Sequence, residues 1–209
     1  MDYLNALALI TNYILLPGLT YGSQLALGAL GVTLIYAVLR FSNFAHGEIM
    51  SFGTMVCILF TWLGQSYGIN FGFLPTALIT IPFAIIMMIL YMLTIDKFVF
   101  SYYRIKKSPP VQLAMVSIGV MFVTQALVRI VIGPFDRRFL DGEKFILKAI
   151  EFKEMTGLNE GLTIKSTQLI TIVITIIVVA ILFWFLNKTK TGKSMRAYSD
   201  NEDLALLSG

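Results

Sequence analysis

The sequence predicts an all-α protein, a polytopic bundle of five to six transmembrane helices. Three observations carry that reading. Only 13% of the 209 residues are charged, about half the ~25% of an ordinary soluble domain, and the mean hydropathy is +0.79. Residues 3–39, 49–95, 108–128 and 166–187 contain no Asp, Glu, Lys, Arg or His. Each run reaches or exceeds the roughly 20 apolar residues that cross a bilayer. Finally, the cations stand beside these runs, which accounts for the net charge of +4 through membrane orientation rather than nucleic-acid binding. A soluble domain is excluded because no core of this size could bury such runs. Disorder is excluded by the same apolar content.

The first run is 37 residues long, about 55 Å as a helix against about 30 Å of hydrocarbon. Pro17-Gly18 is the expected break. Residues 19–39 then form a full span, and 4–16 form a lead that either lies in the interface or crosses separately. Met1-Asp2-Tyr3 lacks the basic segment of a signal peptide, so this run is expected to remain in the mature protein. Gly18, Gly22, Gly28 and Gly31 have the spacing of small residues that let membrane helices approach closely. The second run must cross twice, turning at Gly64-Gln-Ser-Tyr-Gly-Ile-Asn-Phe-Gly72, with spans at 50–63 and 73–93. Pro75 and Pro82 are tolerable there because neighbouring helices re-satisfy backbone groups. Spans at 111–132 and 166–186 complete the set. The single cysteine, Cys57, can form neither an internal disulfide nor a cysteine-rich metal site.

Charge asymmetry orients the bundle. Residues 96–107 carry Lys97, Arg104, Lys106 and Lys107 against one acid, and Lys188, Lys190, Lys193 and Arg196 follow the last span. Both segments are therefore expected in the cytoplasm. The connection 133–165 balances six bases with six acids and is expected outside, with local structure of its own, because at this length it exceeds a bare connection. Five spans put the N-terminus outside; six put it inside. Arg129 can reach the interface from its span.

Between residues 3 and 95 the ionisable side chains of this kind are Arg40, His46 and Glu48, in the island Arg40-Phe-Ser-Asn-Phe-Ala-His-Gly-Glu48. A charge at hydrocarbon costs several kcal/mol, on the order of +3, unless it faces protein or water. Gly47 permits a broken backbone, and such backbone survives at membrane depth only where protein or a wet cavity covers it. Two readings stay open: a discontinuous segment at 43–48 lining a translocation path, or a cytoplasmic loop with a snorkelling Arg40. Enzymatic readings fail on composition. His46-Gly-Glu48 has the H-x-E form of zinc deaminases, yet that chemistry needs P-C-x-x-C, and one histidine with one cysteine cannot build a zinc site. No G-x-S-x-G occurs. Asn187-Lys-Thr-Lys-Thr-Gly-Lys-Ser194 has Asn where a phosphate loop needs its first Gly, and follows a membrane helix rather than a strand. The chain therefore has no cofactor or metal site, and any ATP must be bound by another chain.

The end of the chain differs. Ser199 and Glu202 have capping-box spacing, with Asp200, Glu202 and Asp203 suited to a helix N-terminus. Leu204, Leu206, Leu207 and Gly209 follow. A short cytoplasmic helix over about 200–208 is expected. It is too short to stand alone, so it either docks on a cytoplasmic partner or lies on the membrane.

Gly28-Ala-Leu-Gly-Val-Thr-Leu-Ile-Tyr36, Phe41-Ser-Asn-Phe-Ala-His-Gly-Glu48, Gly192-Lys-Ser-Met-Arg-Ala197 and Ala205-Leu-Leu-Ser-Gly209 resemble the permeases of branched-chain amino acid ABC importers (the LivH type). The N-F-A-H-G-E element is shared with urea and amide relatives. The resemblance covers the chain in order as a single permease domain, 1–209. It implies a subunit of the bacterial inner membrane that works by alternating access. Its partners would be a second permease, two cytoplasmic ATPase subunits that bind ATP and Mg, a periplasmic substrate-binding protein and membrane lipid, with no nucleic acid. It favours a substrate pathway at Asn43, Phe44, His46, Gly47 and Glu48. It makes 188–209 the coupling segment to the ATPase, through Gly192, Arg196, Ala197, Asp200, Glu202, Leu204, Ala205, Leu207 and Gly209. Such permeases continue for several more spans, so the chain is expected to be C-terminally truncated. The substrate stays open among branched-chain amino acids, other amino acids, urea and amides. A proton-coupled secondary transporter using His46 and Glu48 as a relay is the rival from another class. It would show an internal repeat with matching broken helices, and none is found.

Overall fold

The computed structural model describes residues 2–68, 75–137 and 145–200. Among the described residues, five helices are long and apolar enough to cross a membrane: α1 (Asp2–Leu39), α2 (His46–Ser66), α3 (Ala77–Ile105), α4 (Pro110–Ile132) and, after the connection, α6 (Ser166–Lys188). The connection holds β1 (Phe145–Leu147), α5 (Ala149–Thr156) and β2 (Ile164–Lys165). A final helix, α7 (Lys190–Asp200), follows α6. The chain is a helical multi-pass membrane protein, as expected.

Several boundaries differ from the sequence reading, each for a local reason. No break occurs at Pro17-Gly18. The lead and the first span form one 38-residue helix, because a wider turn at Thr11–Leu15, in which the Leu16 N–H reaches the Thr11 carbonyl, lies just ahead of Pro17. Such a π-type turn shifts the hydrogen-bond ladder where a proline would otherwise disrupt it. The short span at 50–63 is in fact a 21-residue helix that starts at His46 and runs through Gly64. Of the turn expected at 64–72, residues 64–66 belong to the helix, Tyr67 and Gly68 turn, and 69–72 lie outside the described residues. The span at 73–93 continues as α3 to Ile105, through the basic segment. Arg104 makes a two-pronged pair with Asp96 (2.6 and 2.7 Å) across the last turns, and Pro109 and Pro110 stop the helix from running on.

Two compact units divide the chain, and each has its own logic. Residues 31–142 pack α2, α3 and α4 around two apolar clusters. One joins Phe41, Ala45 and Ile49 to Ile95, Phe100, Leu113 and Val120. The other joins Phe52, Met55, Val56 and Cys57 to Ala84. Polar pins cross this packing. Thr61 and Thr80 hydroxyls meet at 2.9 Å, Cys57 Sγ lies 3.3 Å from Thr80, and Tyr91 meets Thr124 at 2.8 Å. Each remains apolar enough outside to face lipid while satisfying its hydroxyl inside.

The other unit comprises 1–30 and 143–209. The connection does hold local structure: β1 and β2 pair antiparallel with an irregular register, and α5 lies between them in the chain. Asn5 Oδ1 accepts the Glu160 backbone N–H (3.3 Å) and Asn12 Oδ1 accepts that of Thr163 (3.2 Å). These side-chain amides tie the lead of α1 to the end of the connection. Gly18 and Gly22 have nothing near the position of a side chain, so their expected packing role is not used within this unit.

Candidate functional site

The helix interruption falls at residues 40–45, slightly ahead of the expected 43–48. α1 ends at Leu39, and Arg40 takes a left-handed backbone (φ +56°) while its N–H still reaches the Tyr36 carbonyl at 2.9 Å. Phe41 then turns inward against Phe100, ring centres 5.8 Å apart. Asn43 starts the next helix. Its side-chain oxygen accepts the Ala45 N–H (3.1 Å) and its carbonyl accepts that of His46 (3.3 Å). An Asx turn of this kind offers the backbone a local alternative to helix and so sets a start point. His46, Gly47 and Glu48 consequently form the first turn of α2 instead of the break itself. Gly47 has open space around it.

The interruption is held from α4. Ser117, fully buried, accepts the Phe44 N–H at 3.0 Å and donates towards the carbonyls of Ala114 (2.7 Å) and Ser42 (3.4 Å). Two turns farther along α4, Gln125 Nε2 donates to Glu48 Oε1 at a long 3.4 Å. At that distance the bond is weak, so the half-buried carboxylate keeps most of its accepting capacity. It also lies in the first turn of α2, where the helix dipole favours a negative charge. Phe52 stacks on Tyr91 (4.1 Å) one turn on, and Phe44 stays half exposed.

His46 is placed by a glycine. A Cβ on Gly31 would lie 2.6 Å from Nε2 and 2.8 Å from Cε1 of His46. The imidazole therefore rests directly on the backbone of α1, an approach that a larger residue closes off. Of the four glycines picked out for helix packing, Gly31 makes such a contact, Gly18 and Gly22 do not, and Gly28 is half-buried.

The helix expected over 200–208 lies outside the described residues apart from Asp200. Ahead of it, α7 starts at Lys190 and runs through Ser199 and Asp200. Thr189 caps α7: its hydroxyl accepts the Gly192 N–H at 3.0 Å, as an N-cap threonine does. A Cβ on Gly192 would meet the Phe185 carbonyl oxygen and lie 2.7 Å from Leu186 Cα. α7 therefore crosses directly over the last turns of α6. Arg196 closes the corner by donating to Asn187 Oδ1 at 2.9 Å. Ala197 and Asp200 are exposed. Glu202, Leu204, Ala205, Leu207 and Gly209 lie outside the described residues. Among the described residues no group of His, Cys, Asp or Glu could hold a metal ion.

The family model described as the branched-chain amino acid transport system / permease component matches residues 14–209. The chain belongs to this family. It is 26% identical, over 92% of its own length, to the high-affinity branched-chain amino acid transport system permease protein LivH of Salmonella typhimurium, and 25% identical over the same share to LivH of Escherichia coli strain K12. BraD of Pseudomonas aeruginosa, a protein of the same description, is 38% identical over 56 residues, 27% of this chain and 18% of that one. The chain spans 60% of the length of the LivH relatives. No solved structure matches it. The family is one of transport-system permease components.

Within that permease frame, Ser117, Thr124 and Gln125 are the residues that sequence reasoning passed over. Their signal was present as polar side chains seven and eight residues apart in an uncharged apolar span, which puts them along one side of a helix. The partners of Ser117 and Gln125 are 73 and 77 residues away in the chain, and Tyr91, which meets Thr124, is 33 away, all beyond any local pattern.

Proposed function

We propose that the chain is a permease subunit of an ATP-binding cassette importer of the bacterial inner membrane. It translocates branched-chain or related small amino acids by alternating access. Separate cytoplasmic ATPase subunits bind ATP and Mg, a second permease completes the pathway, and a periplasmic protein delivers the substrate. The reading is supported by the family match and by the relatives' stated substrate class. The observation that carries it to particular residues is the interruption at 40–45, pinned by Ser117 beside a carboxylate, Glu48, with one weak partner.

That arrangement suits a zwitterion with an apolar side chain. Glu48 offers acceptor oxygens to the substrate ammonium, and the half-exposed Phe44 and Met50 offer apolar contact. A charge held at such depth is costly unless it faces a polar path, which argues for a working role. Motion enters through α7. Its rigid corner on α6 transmits a push from the ATPase to a membrane helix without a flexible joint.

The test is uptake of labelled leucine by proteoliposomes containing the whole complex. Glu48→Gln is expected to lower uptake about tenfold or more while the subunits still co-purify. Normal uptake would remove Glu48 from the pathway. Uptake that survives loss of the ATPase and collapses with the proton gradient would replace the reading with a secondary transporter.

A further inference from the structure

The corner between α6 and α7 has a depth as well as a shape. Residues 166–187 carry no charge, so Lys188 marks the edge of the hydrocarbon. Gly192 lies against the backbone of Phe185 and Leu186, one turn inside that edge. α7 therefore cannot stand off from the membrane; its first turns sit at headgroup level. Trp184, 61% exposed, is on the same final stretch of α6, and tryptophan favours that depth.

The outer side of α7 is cationic. Lys190, Lys193, Ser194 and Ala197 are all exposed and share one side of the helix by their spacing, with Lys188 just before them. Ser194 and Ala197 are short, which leaves room between the two ammonium groups. Gly192 is buried, and Met195 and Tyr198 are partly buried, so α7 has distinct inner and outer sides. Arg196 gives one donor to Asn187, a neutral partner. Asp200 is the one acid among the described residues of this helix. Among the described residues none of these four cations forms an ion pair.

From this depth and charge we infer that α7 forms a binding site for anionic phospholipid headgroups, with Lys190 and Lys193 holding the phosphate and Lys188 and Arg196 flanking it. Charge complementarity at a membrane surface carries the assignment, since each cation there contributes about 1 kcal/mol, or about fivefold in affinity. The site is independent of the importer reading, because it needs neither substrate nor ATPase.

The test uses the full chain in phosphatidylcholine nanodiscs, with a bimane on Ser194→Cys in a Cys57→Ser background. Trace lipid carries a nitroxide headgroup, on phosphatidylglycerol in one arm and on phosphatidylcholine in the other. Quenching at equal lipid is expected to be at least fivefold stronger with labelled phosphatidylglycerol. Lys190→Gln with Lys193→Gln should bring the two arms near parity, and Lys190→Arg with Lys193→Arg should keep the difference. Equal quenching in the unsubstituted helix, or a preference that survives the glutamine pair, overturns the site. Loss of the preference in 10 mM inorganic phosphate would make free phosphate the ligand and also overturn it. Protection of these lysines only when ATPase subunits are added, with no lipid preference before, would assign the patch to a protein partner instead.

Discussion

α2 and α6 are both apolar membrane helices of similar length, 21 and 23 residues, yet they are used in opposite ways. In its apolar stretch 39% of α2 is buried, against 6% of α6. α2 finds α3 and α4 within its own unit and is cross-linked to them by hydroxyls and an amide. α6 is held mainly at its ends among the described residues, by β2 before it and α7 after it, and leaves Ile176, Ile177, Ile181 and Phe183 exposed. The lesson is a division of labour. Specific hydrogen bonds and close packing, more than apolar burial, drive a helix to pack, because lipid is as apolar as leucine and burial alone gives little drive. The displayed helix needs lipid or another chain to cover it, whereas the pinned one carries the interruption and Glu48.

Substitutions can break that contrast in order of size. The largest effect is expected at the end of α6, where Gly192 lies directly on its backbone. Gly192→Ala places a methyl against backbone that cannot yield, at about 3 kcal/mol, the upper end of overpacking costs. α7 should detach, and trypsin should cut at Lys190, Lys193 and Arg196 many times faster while α2 stays resistant. Equal protection would show that the corner has slack. Next is the pin on α4. Ser117→Ala leaves the Phe44 N–H buried without an acceptor and should cost about 1–2 kcal/mol. A lower Tm in detergent, together with faster labelling of a cysteine at Ser42, would follow. A Tm unchanged from the parent would mean the interruption holds itself. The smallest is Tyr91→Phe, which keeps the stack on Phe52 and removes only the bond to Thr124. About 0.6 kcal/mol is expected, the average for such bonds between membrane helices, read as a small shift in the same melting curve.

Much of this was legible before any coordinates. Runs free of charge give the spans, since no fold can cheaply bury a lysine in lipid. What misled was local grammar with a tertiary or neighbouring answer. Pro17-Gly18 reads as a stop, but the π-type turn at Thr11–Leu15 re-routes the ladder, and nothing in the residue types announces it. Gly47 reads as a break, but glycine is tolerated in a first turn and Asn43 decides where α2 begins. The helix that Thr189 starts at Lys190 went unread, because its residues are mostly polar and charged. Ser117 and Gln125 were unreadable as site residues because their meaning lies in partners more than seventy residues distant. The N-F-A-H-G-E element drew attention to the right region through resemblance, while the geometry redistributed the roles within it: Asn43 shapes, His46 rests on Gly31, and Glu48 alone keeps free acceptor capacity.

The two asparagines of α1 bear on a question of parity. Asn5 and Asn12 hold the backbone at Glu160 and Thr163, a few residues before α6 begins at Ser166. That tie keeps the start of α1 beside the start of α6, so a bilayer that both helices cross meets these two ends on one face and Lys190 on the other. Charge counting alone left that assignment hanging on whether the lead crossed by itself. A pair of uncharged amides supplies the link it lacked, like a knot tying two ropes on the same bank of a river.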